Sequence, residues 1–187
     1  MTEKNAQKII EYFSDLDLER GNIVRDTEKG IFGVSDISIT NKFFEKINLN
    51  ETNRFIDLGS GDGRINILAS VYCQSTGIEI DKPLIEESKK HSKKLFENKI
   101  LEEKELERLK FIEGDYEEFD YSKVNIIFSF ADHFFTEKFI SKLKKDFKGI
   151  LYVYQGVFLP EGVKKGRTVW IQNEEGRNPI PIISYEF

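Results

Sequence analysis

The chain has 187 residues, of which 39% are hydrophobic and 33% charged, and it carries a net charge of −5 with a pI near 5.3. That length holds one domain with a substantial core, and the composition is globular rather than disordered or fibrous. An acidic balance disfavours nucleic acid as partner, no apolar run reaches the roughly 18 residues of a membrane span, and the single cysteine, Cys73, excludes an internal disulfide and a multi-cysteine zinc site.

The opening stretch, MTEKNAQKII, lacks the basic-then-apolar layout of a secretion signal, so the expected compartment is the cytoplasm. Residues 5 to 19 predict an amphipathic helix, with Ile9, Phe13 and Leu16 at helical spacing. ITNKFFEKINL predicts a second helix, capped by Thr40, with Phe43, Phe44 and Ile47 facing inward. Together these form a helical leading segment, residues 1–49, ahead of a sheet core at 50–187.

From there strand and helix alternate. RFIDLG predicts a strand and GRINILASVY a helix; STGIEI is the next strand and KPLIEESKKHSKKLFEN a long helix. The lysines between Lys82 and Lys110 are interleaved with glutamates, the pattern of a solvated helix face. LKFIEG and VNIIFSF follow as strands, then the helix FTEKFISKLKKDF with Phe135, Phe139, Ile140, Leu143 and Phe147 on one stripe, then the strand GILYVYQG. Such alternation predicts a parallel sheet with helices on both faces. RTVWIQ and PIISYEF, separated only by the turn-rich NEEGRNPI, predict an antiparallel pair closing the sheet edge.

The turn after RFIDL concentrates the chemistry. Asp57, Gly59, Gly61 and Gly63 stand at alternate positions, where a parallel sheet opens to ligands and glycine bares the main chain. The spacing is not the dinucleotide fingerprint, whose third glycine would fall at Arg64, and no lysine followed by serine or threonine completes a P-loop.

This D-x-G-x-G-x-G resembles the first motif of the class I S-adenosylmethionine-dependent methyltransferases, and the resemblance covers roughly residues 38 to 157. It implies an α/β fold of three layers: a doubly wound, mostly parallel seven-stranded sheet with an antiparallel closing hairpin. It also implies S-adenosylmethionine as cofactor. Asp57 would reach toward the amino group of the methionine moiety, which Gly59, Ser60, Gly61 and Gly63 would line. Glu79, 20 residues beyond Gly59 and followed by Ile80, would accept the ribose hydroxyls. Asp115 in EGDYEEF matches the position that takes the exocyclic amine of adenine, with Tyr116 beside it.

The methyl acceptor is expected after the fourth strand of the alternation, in NIIFSFADHFF. Relatives of this fold that methylate adenine nitrogens or glutamine amides carry a proline-proline-aromatic motif here, which SFADHF does not match. Carbon-5 methylation of cytosine needs a cysteine here, and Asp132 alone is no metal site. What stands is an aromatic cluster: Phe128 and Phe135 as core, Phe130 and Phe134 nearby. Phe130 is the candidate wall of an acceptor pocket and His133 the candidate general base. The order DLGSGDGRI, GIEI, GD and a Phe-containing loop also resembles the seven-strand protein-lysine methyltransferases, which implies a protein side chain as acceptor. A small molecule, or a cofactor-binding module without turnover, is the alternative; RNA is disfavoured by charge.

Overall fold

The computed structural model describes residues 2–21, 24–27, 30–131, 133–154, 158–172 and 178–187. Asp132 and much of the NEEGRNPI connector therefore lie outside the described residues. Helix α1 (Thr2–Arg20) is followed by a two-stranded antiparallel hairpin, β1 (Val24–Thr27) and β2 (Gly30–Gly33), and by α2 (Ile37–Lys46). The core then runs β3 (Arg54–Leu58), α3 (Arg64–Ser70), β4 (Gln74–Glu79), α4 (Lys82–Glu97), α5 (Glu103–Arg108), β5 (Leu109–Glu113) and β6 (Ile126–Ser129). It ends with α6 (Glu137–Asp146), β7 (Ile150–Tyr154), β8 (Lys165–Ile171) and β9 (Ile180–Glu186).

The main sheet has the order β5-β4-β3-β6-β7-β9-β8. Pairings among β3 to β7 are parallel, whereas β9 runs antiparallel between β7 and β8. β3 and β6 are almost wholly buried because helices cover both of their faces, which is why their sequences read as continuous apolar runs. One core layer joins Ile9 and Phe13 of α1, Phe43 and Phe44 of α2, and Ile67 and Leu68 of α3; the other joins Phe139 and Leu143 of α6 to Ile56 and Ile127. The chain reverses direction across the sheet at β3, whose neighbours β4 and β6 carry it opposite ways. The carboxyl end of β3 is thus the crevice of the fold.

Three local expectations are corrected. Helix α2 begins at Ile37, not after Thr40: Asp36 is the cap, its Oδ1 accepting from the amides of Ser38 at 2.9 Å and Ile39 at 3.0 Å. Thr40 sits buried in the first turn, its hydroxyl bonded to the Asp36 carbonyl, because burial of Ile37 and Ile39 extends the helix backwards. The leading segment is not purely helical, since the β1–β2 hairpin interrupts it. And α5, absent from the alternation above, is nucleated by a capping box in which Glu102 and Glu105 each bond the other's backbone amide.

Candidate active site at the glycine-rich loop

A cavity of about 720 Å³ lies beyond the carboxyl ends of β3, β4 and β6. Its floor is the loop from Gly59 to Asp62. The amides of Gly59 and Ser60 both donate to the Ile78 carbonyl, at 2.9 and 3.0 Å, and this folds the loop across β4. Gly59 and Gly61 adopt φ of +70° and +54°, backbone that side-chain-bearing residues rarely enter. A Cβ at Gly59 would meet nothing within 4 Å, so its main chain lies open to the cavity, whereas a Cβ at Gly61 would fall 2.4 Å from the ring of Phe32. The β1–β2 hairpin thus lays an aromatic ring on the loop, and Val34 and Ser35 continue that wall.

Gly63 behaves differently from the other loop glycines. It lies outside the cavity wall, caps α3 with φ of +81°, and brings that turn against Ser88 and Phe111, which a Cβ would meet at 2.5 and 2.7 Å. Having no side chain, it allows close packing of helix on sheet.

Three carboxyl groups stand around the loop. Asp57, on β3 and 4% exposed, is pushed well above the usual carboxylate range by burial first, then by the charges of Glu79 and Asp62. Glu79, at the end of β4, spans two segments: Oε2 accepts from the Gly61 amide and Oε1 from the Asp81 amide, each at 2.9 Å. Asp62 is held by Arg64, whose Nε and Nη2 reach both of its oxygens between 2.8 and 3.2 Å. Ile80 follows Glu79 on the wall with its side chain half exposed.

The far end of the cavity is built by β5 and the loop after β6. Asp115 Oδ1 accepts from the Glu117 amide at 2.8 Å and caps a short 3-10 turn, Tyr116–Glu118. The Tyr116 hydroxyl lies 3.0 Å from Nε2 of His133, with the two rings stacked at 6.4 Å, and the Tyr116 ring meets Phe139 edge-on. Phe130 lines the cavity with its ring edge-on to Tyr154, and Phe158 lines it while packing edge-on against the exposed Phe134. Phe128 is fully buried in the core; Phe135 packs against the other core layer and also reaches the cavity wall.

The structure therefore gathers Asp57, Gly59, Ser60, Gly61, Glu79, Ile80, Asp115, Tyr116, Phe130 and His133 around one space. Sequence reasoning missed Phe32, Val34, Ser35 and Phe158. The only signal for Phe32 and Val34 was the apolar run IFGV ahead of the predicted second helix.

The residues present suit a nucleoside bearing a cationic amino-acid tail. Open main chain lines the cavity at Gly59, the buried carboxyl of Asp57 stands beside it, and carboxyl groups stand at the end of β4 and after β5. Fold and cavity together define a class I methyltransferase, of the type that takes its methyl group from S-adenosylmethionine. A family model described as histone methylation protein DOT1 matches residues 24–155, and the chain belongs to that family.

Solved structures agree on the fold. An RNA methyltransferase from Salinibacter ruber, complexed with S-adenosyl-L-homocysteine, is 23% identical with a TM-score of 0.61, covering 80% of this chain and 90% of its own. Precorrin-6y C5,15-methyltransferase from Geobacter metallireducens is 15% identical with a TM-score of 0.58, over 81% and 89%. A protein-L-isoaspartate O-methyltransferase is 18% identical with a TM-score of 0.53, over 71% of this chain and 41% of its own. A search of curated proteins returns no significant match.

Proposed function

We propose that the protein transfers a methyl group from S-adenosylmethionine to the amine of a lysine side chain in a protein. The observation that carries this reading is the cavity's charge. Among the described residues four carboxylates line it, on Asp62, Glu79, Asp115 and Glu117, beside the buried carboxyl of Asp57 and against one arginine, Arg64, whose guanidinium is committed to carboxylate partners. Such a lining favours cations and repels phosphate, so an amine suits it better than a nucleic-acid backbone. The family description points the same way.

On this reading Asp57 faces the ammonium of the cofactor, Gly59, Ser60 and Gly61 lie along its methionine end, Glu79 and Ile80 take the ribose, and Asp115 and Tyr116 the adenine. The cofactor supplies a methyl group on a sulfonium, already activated for in-line displacement. No nucleophilic side chain is then required, and the protein's work is orientation and exclusion of water.

The acceptor amine must arrive neutral. At pH 7 a lysine with a reference pKa of 10.4 gives up its proton at a cost of about 4.6 kcal/mol. Aromatic walls lower that cost by desolvating the ammonium, which is the role assigned to Phe130 with Phe135 and Phe158. His133 is assigned to take the proton, its imidazole held by the Tyr116 hydroxyl.

Incubation of the enzyme with methyl-labelled cofactor and whole-cell extract tests the acceptor class. Label is expected in the protein fraction and is recovered as methyllysines after acid hydrolysis. Label confined to RNA or to small metabolites contradicts the lysine assignment.

A further inference from the structure

Helix α1 precedes the residues that the family model matches, yet its polar face reaches the cofactor loop. Asp17, near its carboxyl end, accepts two parallel hydrogen bonds from Arg64, 2.7 Å from Nη1 and 2.8 Å from Nη2. The guanidinium turns its other edge to Asp62, on the cavity wall, and lies 5.0 Å from the centre of the Phe13 ring. Arg64 is 2% exposed and Asp62 1%. Burial works against the charge on Arg64, but the hydrogen bonds it donates to Asp17 and then to Asp62 hold its pKa above the ordinary value.

A second strand of contacts runs from α1 to α4. The Tyr12 hydroxyl lies 2.7 Å from Nδ1 of His91, Nε2 of His91 lies 3.4 Å from Glu87, and Glu87 pairs with Arg20. Asp62, Glu87 and His91 offer ligand atoms within 4.8 Å of one another, a spacing a metal ion could use. The guanidinium groups of Arg64 and Arg20 already supply the positive charge there.

Two features set the Asp17 pair apart from ordinary helix packing. Arg64 is the first residue of α3, directly after the left-handed Gly63, and its guanidinium bonds back to Asp62 of the loop that floors the cavity. One carboxylate, Asp62, would suffice to neutralise it; the second leaves the cluster net negative beside a cavity that must hold a cation. Without Asp17, two buried N–H groups on the α1 side lose their acceptor. The guanidinium then gains by turning toward water, and it carries Asp62 with it.

We propose that Asp17 is a positioning residue for cofactor binding: through Arg64 it fixes Asp62 and the Gly59–Gly63 loop in the form that receives the cofactor. Helix α1 is thereby a clamp on the site. This rests on the S-adenosylmethionine reading above, and the test separates the two.

Wild type, Asp17→Asn and Asp17→Glu are titrated with S-adenosylhomocysteine by calorimetry, and KM for the cofactor and kcat are measured in parallel. Asp17→Asn is expected to weaken binding about tenfold, the scale of one lost charge-assisted hydrogen bond, and to raise KM in proportion with kcat nearly unchanged. Asp17→Glu keeps the charge and is expected to recover most of the affinity. A purely structural role would lower the melting temperature and leave the affinity of the folded protein intact. Unchanged affinity in Asp17→Asn overturns the proposal, and Asp17→Ser gives the same reading should the asparagine variant not fold. A wild type that does not bind S-adenosylhomocysteine overturns the cofactor reading itself.

Discussion

Asp57→Asn is expected to eliminate measurable cofactor binding while raising the thermal stability of the cofactor-free protein. The side chain lies on the central strand, paired through Gly77 with β4 and through Phe128 with β6, and is almost wholly buried. Burial, with Glu79 and Asp62 nearby, lifts its pKa well above the value of 3.8 taken for an unperturbed aspartate. Between those two values the folded protein holds a proton that the unfolded chain has released. Stability therefore falls as pH rises from the lower value through the higher one, and the loss persists above it.

Asparagine mimics the protonated form and escapes that loss, so the variant melts higher near neutral pH and its stability varies less with pH. On the proposed reading the cofactor's ammonium pairs with the ionised carboxylate. In the wild type, affinity should rise with pH until Asp57 ionises unaided, and binding below that point should release protons. Breaking one partner of a buried charge pair costs about 3–5 kcal/mol, at least a hundredfold in Kd. Calorimetry in two buffers of different ionisation enthalpy, beside melting curves from pH 5 to 9, measures both halves of this expectation.

Glu79→Ala should reach a similar loss of affinity with the opposite effect on stability. Both oxygens of Glu79 serve the protein itself, one on the Gly61 amide and one on the Asp81 amide, and the side chain is buried. Alanine leaves two amide donors unsatisfied at about 1–3 kcal/mol each, so the folded state should lose roughly 2–6 kcal/mol in urea denaturation. The loop that Glu79 pins would lose its shape together with the proposed ribose acceptor, and affinity for S-adenosylhomocysteine should fall by about a hundredfold or more. Glu79→Gln, which keeps one acceptor oxygen, is expected to lie between wild type and alanine in both measurements. Two carboxyl groups in one site would thus be told apart by the sign of their effect on the cofactor-free fold.

The alternating elements, the closing antiparallel pair and the glycine loop were legible because each is written in neighbouring residues. Apolar runs mark the buried strands, and the four-position motif marks the loop. Asp36 escaped notice as a cap because Thr40 stands closer to the aromatic stripe of α2, although the apolar residues that decide the helix start are Ile37 and Ile39. Helix α5 lay hidden in a charge-rich stretch, its capping box indistinguishable from the surrounding glutamates until burial of Glu105 reveals it. Contacts across long sequence separations were illegible. Phe32 meets Gly61 only through the fold, and Asp17 finds Arg64 across 47 residues. Motif reading located the glycine-rich loop but not the leading segment that packs on it.

A crystal structure of the protein with S-adenosylhomocysteine tests the central claim most directly. The ligand is expected in the cavity above Gly59 to Gly61, with its amino group at Asp57, its ribose hydroxyls at Glu79 and its adenine between Asp115 and Tyr116. Density for the ligand elsewhere, or a cavity closed by its own side chains under saturating ligand, would contradict it.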